Sequence, residues 1–186
     1  MNDKSAVEIQ LSKSKLTLMF LGSIIFVGLG IWFLIDPTRF ISPFHRSTSF
    51  IFIAGLASIL FFGFVGFYLF KKLFDKNFGL VISDDGIIDN SSGLSAGFIP
   101  WTDIEAIKET RVANQQFINL VVKNPQVYID RQTSSVKRWA MRKNYKSFDT
   151  AIGISANGLK YNYEDLKALL HKKFQEYKSK TIIKQH

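Results

Sequence analysis

The 186-residue chain has no cysteine, only three histidines, and two long stretches without a single charge. Without cysteine there are no disulfides and no thiolate nucleophiles or metal ligands. His45, His171 and His186 fall in a short linker, a C-terminal helix and the last position, so they do not pre-organise a metal site. There is no Gly-rich phosphate loop and no Gly-x-Ser-x-Gly elbow. Asp84, Asp85 and Asp89 gather at one hairpin without the spacing of a calcium loop, and acids at turns are ordinarily solvated turn formers. Trp101 and Asp103 could be read as a site, but a core Trp beside a turn Asp accounts for both. The sequence therefore predicts neither catalysis nor a cofactor.

The uncharged stretches define the layout. Leu16 to Ile35 is 20 residues without charge and Ser47 to Phe70 is 24. At about 1.5 Å per residue a 20-residue helix covers about 30 Å, the hydrocarbon thickness of a bilayer, and the longer run spans it with some tilt. A helix satisfies its own backbone in lipid. A signal peptide would have a shorter apolar core and a small-residue cleavage site. A core helix of a soluble protein would carry a polar face. The expectation is residues 1–15 as a cytoplasmic segment, 16–35 and 47–70 as transmembrane helices, 36–46 as an extracytoplasmic linker, 71–76 as a basic connector, 77–178 as a cytoplasmic domain and 179–186 as a polar, frayed tail. Lys13, Lys15, Lys71, Lys72 and Lys76 flank the hairpin on one side, against Arg39 and Arg46 in the linker. That bias predicts both termini in the cytoplasm. Gly22, Ser23 and Gly30 in the first span, and Gly55, Gly63 and Gly66 in the second, mark faces for close packing. The packing is either within the hairpin or, less simply, between copies. Neither span holds an Asp, Glu, Lys, Arg or His, which argues against a proton or ion pathway.

The remainder reads as an α+β domain. Phe78–Ile82 and Ile87–Asn90 are strands about an Asp84-Asp85-Gly86 turn. Further strands are expected at Ala96–Trp101, Ile104–Val112, Phe117–Lys123 and Thr150–Ser155, with a short one at Leu159–Tyr161. Ile104 and Ile107 break the alternation, which predicts a bulge. Pro125 to Lys146 reads as one helix capped by Asn124. A final helix follows Asn162, with Asp165 three residues on and Leu166, Leu169, Leu170, Phe174 and Tyr177 at helical spacing.

Strands closed by a C-terminal helix suggest a small antiparallel barrel or sandwich, and this looks like the pleckstrin-homology (PH)-like fold. The segment Ile99-Pro-Trp-Thr-Asp-Ile104 is similar to the Trp-x-Asp-Ile pattern of bacterial PH-like domains. Through KKLFDKNFGLVISDDGIIDNSSG, IPWTDI, VKNPQVYIDRQ and ISANGLKYNYEDLKALL, nearly the whole chain resembles an uncharacterised family of two-span bacterial membrane proteins with a cytoplasmic PH-like domain. The resemblance implies architecture and an inner-membrane location, and no activity. Phosphoinositide-binding PH domains place Lys and Arg on the first hairpin. Here that turn is read as Asp84-Asp85-Gly86, so their lipid site does not carry over.

Charge points to a partner. The net charge is +9, with 16 Lys and Arg against 11 Asp and Glu beyond residue 76. Basic balance suits nucleic acid or anionic lipid, and the spans favour lipid. On a helix from Pro125, Arg131, Arg138, Arg142 and Lys146 share one face. Ile129, Val136 and Ala140 lie opposite, and Tyr128, Trp139 and Tyr145 border the charge. Lys137 and Lys143 add charge elsewhere. Cations edged by rings suit a membrane interface; a solvated Arg face is the plain alternative. The candidate contacts are thus Arg131, Arg138, Trp139, Arg142, Tyr145 and Lys146. The expected role is a membrane-anchored module binding anionic lipid or a protein. The alternatives are a scaffold or homo-oligomer pairing through the hairpin and, remotely, an enzyme on a lipid-soluble substrate. Flanking rather than interleaved rings argue against nucleic acid.

Overall fold

The computed structural model describes residues 6–41 and 47–183. Pro43, His45 and Arg46 of the linker, and His186, lie outside the described residues. The chain divides into two compact bodies: residues 13–76, and residues 1–12 together with 77–186.

The first body is a pair of helices, α1 (Lys13–Ile35) and α2 (Thr48–Leu73), with a short 3-10 turn at Pro37–Phe40 between them. Both are long and apolar enough to cross a membrane. Apolar side chains point outward all round: Leu18, Ile25, Leu60, Phe61, Phe64 and Phe67 are each more than 60% exposed, which a soluble protein does not tolerate over such an area. The helices meet through their small residues. A Cβ on Gly30 would stand 2.8 Å from the Gly55 carbonyl oxygen, one on Gly55 2.8 Å from that of Gly30, and one on Gly66 2.7 Å from Ser23 Oγ. Ser58 Oγ also donates across to the Phe26 carbonyl at 2.9 Å. Gly22 and Gly63 face open space instead. At the open end of the hairpin, Lys13 Nζ donates to the carbonyls of Lys72 and Asp75 at 3.2 and 2.5 Å. A cation there meets the negative end of the α2 dipole. Lys72 is buried and pairs with Asp75 at 2.9 Å. Lys71 and Lys72 thus belong to the last turn of α2 rather than to a connector.

Because the chain has no native cysteine, hairpin packing can be read by a disulfide. The position of a Gly66 Cβ is 3.5 Å from Ser23 Cβ, within bonding geometry. Ser23→Cys with Gly66→Cys is expected to cross-link readily under mild oxidation. Adding Gly55→Leu should slow that by tenfold or more, on the order of the 1–3 kcal/mol that overpacking costs, whereas Gly63→Leu should leave it unchanged. Equal cross-linking in both would show that the Gly30–Gly55 contact does not set the helix spacing.

The second body holds two antiparallel sheets. The first, in the order β1-β2-β3-β4, comprises Val7–Ile9, Leu80–Ile82, Gly86–Asp89 and Gly97–Pro100; the second, β5-β6-β7, comprises Ile104–Val112, Gln115–Val122 and Ile152–Ile154. The sheets do not hydrogen-bond into a closed barrel. Alternation decides the faces. Leu80, Ile82, Ile87, Ile99, Ile118, Leu120, Ile152 and Ile154 are all but inaccessible and form the core, while Ile88 and Phe98 of the first sheet point out. The expected bulge lies between Ile104 and Ala106. The β5–β6 hairpin closes through Ala113 and Asn114, both at positive φ, as a two-residue hairpin turn of the I′ type demands. The 3-10 turn Trp101–Asp103 links the sheets.

β1 is the element that the sequence reading omits. Val7, Glu8 and Ile9 pair with Ile82, Val81 and Leu80. The segment continues as a bridge from Leu11 to Leu159, with Ser12 N donating to the Gly158 carbonyl and Lys160 N to that of Gln10. The short strand expected at Leu159–Tyr161 is that bridge. The Asp84-Asp85-Gly86 turn therefore joins the second and third strands, not the first and second. The first connection is the helix pair itself.

The last helix, α5 (Tyr163–Ile183), begins where Asn162 Oδ1 accepts from Asp165 N at 2.8 Å. It lays Leu166, Leu170 and Phe174 on the core. It runs on through Ser179, so the tail is helical to Ile183 rather than frayed from 179.

Candidate functional site

The basic segment is two helices, not one. α3 (Pro125–Asp130) stops at Arg131, and α4 (Ser135–Phe148) restarts after Ser134. Pro125 sits in the first turn of α3 with Asn124 before it, though the Asn124 side chain makes no cap bond. The break has a local cause. Thr133 and Ser134 offer hydroxyls that compete with helical bonding, and Ser134 Oγ accepts from Lys137 N to cap a new helix.

The break takes Arg131 off the basic face. Its guanidinium donates to the carbonyls of Ala96 and Phe98, the latter at 2.8 Å, and lies 4.3 Å from the Tyr128 ring centre. Arg131 thus occupies the free edge of β4, where unpaired carbonyls would otherwise recruit another strand. Arg131 is exposed but is held apart from the α4 cations with which the sequence groups it.

The other five candidates stay together on α4. Met141 is fully buried and anchors the inner face. At 3.6 residues per turn, the opposite arc carries Arg142, Lys143, Lys146, Trp139 and Val136, all exposed, while Arg138 is half-buried on the flank nearer Met141. Trp139 and Val136 are each 62% exposed and Tyr145 42%, so Val136 faces outward with the charge instead of lying opposite it. Ile129, placed with it, is buried on α3, and Ala140 is half-buried. Trp139 does not border the charge but stands within it, with Lys143 Nζ 5.9 Å from its ring. Arg142 forms a loose pair with Asp130 at 3.6 Å, weak at this exposure. Lys143 and Val136 are the positions on this face that sequence reasoning misplaced. A wheel drawn on α4 alone would have found them.

The remaining polar candidates are structural. Trp101 is 1% exposed, and its Nε1 donates to the Ser83 carbonyl at 2.9 Å. Tyr128 Oη donates to Asp103 Oδ2 at 2.6 Å. Burial first, and then that bond to a carboxylate, raises the Tyr128 hydroxyl well above the usual phenol range, so it serves as a permanent donor tying α3 to the Trp101 turn. The three hairpin acids do not converge. Asp89 is buried and accepts from Ser91 N, Ser91 Oγ and Ala96 N at 2.7–3.1 Å, while Asp84 meets Lys180 at 3.2 Å. Among the described residues no three His, Asp or Glu side chains are grouped so as to hold a metal. Of the topology lysines, Lys15, Lys71 and Lys76 are exposed.

No protein-family model, curated protein or solved structure matches the chain.

Proposed function

We propose that the protein is a membrane-anchored binding module whose domain lies at the cytoplasmic face of a bacterial inner membrane and holds anionic lipid through the outer face of α4. The observation that carries this is Trp139 and Val136, each 62% exposed, among Arg142, Lys143 and Lys146, with Arg138 at the flank. An indole and an isopropyl group held in water amid these cations suit a surface that is apolar just beneath a layer of phosphates. Each cation near such a surface contributes about 1 kcal/mol.

Connectivity supports the placement. Six residues, Phe74 to Gly79, separate α2 from β2 and reach no more than about 22 Å. Only Gln10 to Ser12 separate β1 from α1. Since β1 pairs with β2, the chain leaves and re-enters the same domain, which agrees with the lysine bias toward two cytoplasmic termini. The PH-like reading draws support from the four-strand and three-strand meanders followed by a helix. On that reading the membrane hairpin stands where a PH domain has its first β-turn, so the phosphoinositide site of that turn has no counterpart.

The absence of cysteine allows a single label. Val136→Cys carrying an environment-sensitive fluorophore, in full-length protein reconstituted into liposomes, is expected to emit further to the blue when phosphatidylglycerol is present than in phosphatidylcholine alone. The shift should fade with salt and vanish with Arg138→Glu, Lys143→Glu and Lys146→Glu together. Identical emission in both lipids would sink the proposal and leave the face to a protein partner.

A further inference from the structure

The second sheet has a second face, and a cavity of about 290 Å³ opens on it. On β6 the side chains of Ile118 and Leu120 enter the core, so Phe117 and Asn119 point the other way. Asn119 pairs in register with Gly153 of β7. A Cβ on Gly153 would stand 3.1 Å from Asn119 Oδ1; its absence leaves room over the amide. Phe117, Val112, Leu94 and Phe148 supply apolar walls, the last from the end of α4.

The polar atoms are the informative part. Asn119 is 5% exposed. Its Nδ2 donates to Thr110 Oγ1 at 2.6 Å, and among the described residues nothing donates to its Oδ1. Since no buried side-chain N or O among the described residues lacks a partner, this oxygen is open to the cavity, where it offers an acceptor to a donor that enters. No charged side chain lines the space, which disfavours an ion. An apolar cavity of about 150 Å³ holds one benzene, so this one has room for a bicyclic ring system. Apolar walls around a few convergent polar groups are the usual make-up of a small-molecule site.

We infer that the cavity over Asn119 binds a neutral, ring-bearing small molecule that donates one N–H or O–H to Asn119 Oδ1. The site is independent of the outer face of α4.

Indole and benzofuran test this, being alike in shape while only indole has an N–H. Ligand-observed saturation-transfer NMR on full-length protein in lipid nanodiscs, corrected with empty discs, is expected to show indole binding. Indole should bind about 5-fold more tightly than benzofuran, the value of one ordinary hydrogen bond. Asn119→Leu should erase the preference. Val112→Trp, at a rim position 39% exposed where folding is not at stake, should weaken indole at least tenfold by filling the space. No indole signal above empty discs, equal affinity for both probes, or unchanged binding in Val112→Trp overturns the inference.

Discussion

Residues 77–186 produced alone are expected to be less stable by about 3–6 kcal/mol than the same segment preceded by residues 1–12 through a short Gly-Ser turn. The figure follows from burial. Ile9 and Leu11 are each 3% exposed, and fully burying such a side chain contributes about 1.5–3 kcal/mol. Removing them also uncovers Leu80 and Ile82 along a raw strand edge. Set against a typical domain stability of about 5–15 kcal/mol, the loss leaves the truncated form at or beyond the edge of folding. The register Ile9 with Leu80 brings Ser12 level with Asn77, so about four residues suffice for the join. Urea denaturation followed by circular dichroism compares the two. Equal midpoints would mean that β1 is a passive passenger on the sheet.

Trp101→Ala is expected to cost about 3–5 kcal/mol, the usual range for emptying a buried aromatic site. The indole lies at the junction of the two sheets. It stacks near Phe174 and Tyr177 of α5, with ring centres 6.0 and 6.3 Å away, and its Nε1 holds the Ser83 carbonyl of the β2–β3 turn. Losing it opens a void that three elements line together. Trp101→Phe keeps most of the apolar volume and drops the hydrogen bond, so a smaller loss of about 1–2 kcal/mol is expected. Thermal unfolding of the full-length protein in detergent, read in the near-ultraviolet, separates the cases. An alanine variant that melts with the wild type would show that α5 is held without this residue.

The contrast between what could and could not be read from residues is physical. The two apolar helices were legible as long uncharged runs, and α5 because Leu166, Leu170 and Phe174 repeat at one helical turn. The bulge at Ile104 showed as broken alternation. β1 escaped because Val7–Ile9 is three residues long and its partner lies more than 70 positions away in sequence; nothing local marks such a pairing. The division of Pro125–Phe148 was missed because a capping serine was read as one more helical residue, and four positions of non-helical chain rotate everything after it. That one error moved Arg131 to a sheet edge and Val136 into solvent. Asn119 gave no signal at all, since a polar residue in a strand is unremarkable until its neighbour across the ladder is known to be Gly153.

The pairing of β1 with β2 also orders events at the ribosome. Val7–Ile9 is synthesised first, yet its partner Leu80 emerges some 70 residues later, several seconds at about 5–20 residues per second. On the proposed membrane placement, both apolar helices enter the bilayer in that interval. On that placement the finished sheet acts as a clasp, closed after insertion, and a protease would have to cut the chain twice to set the domain adrift.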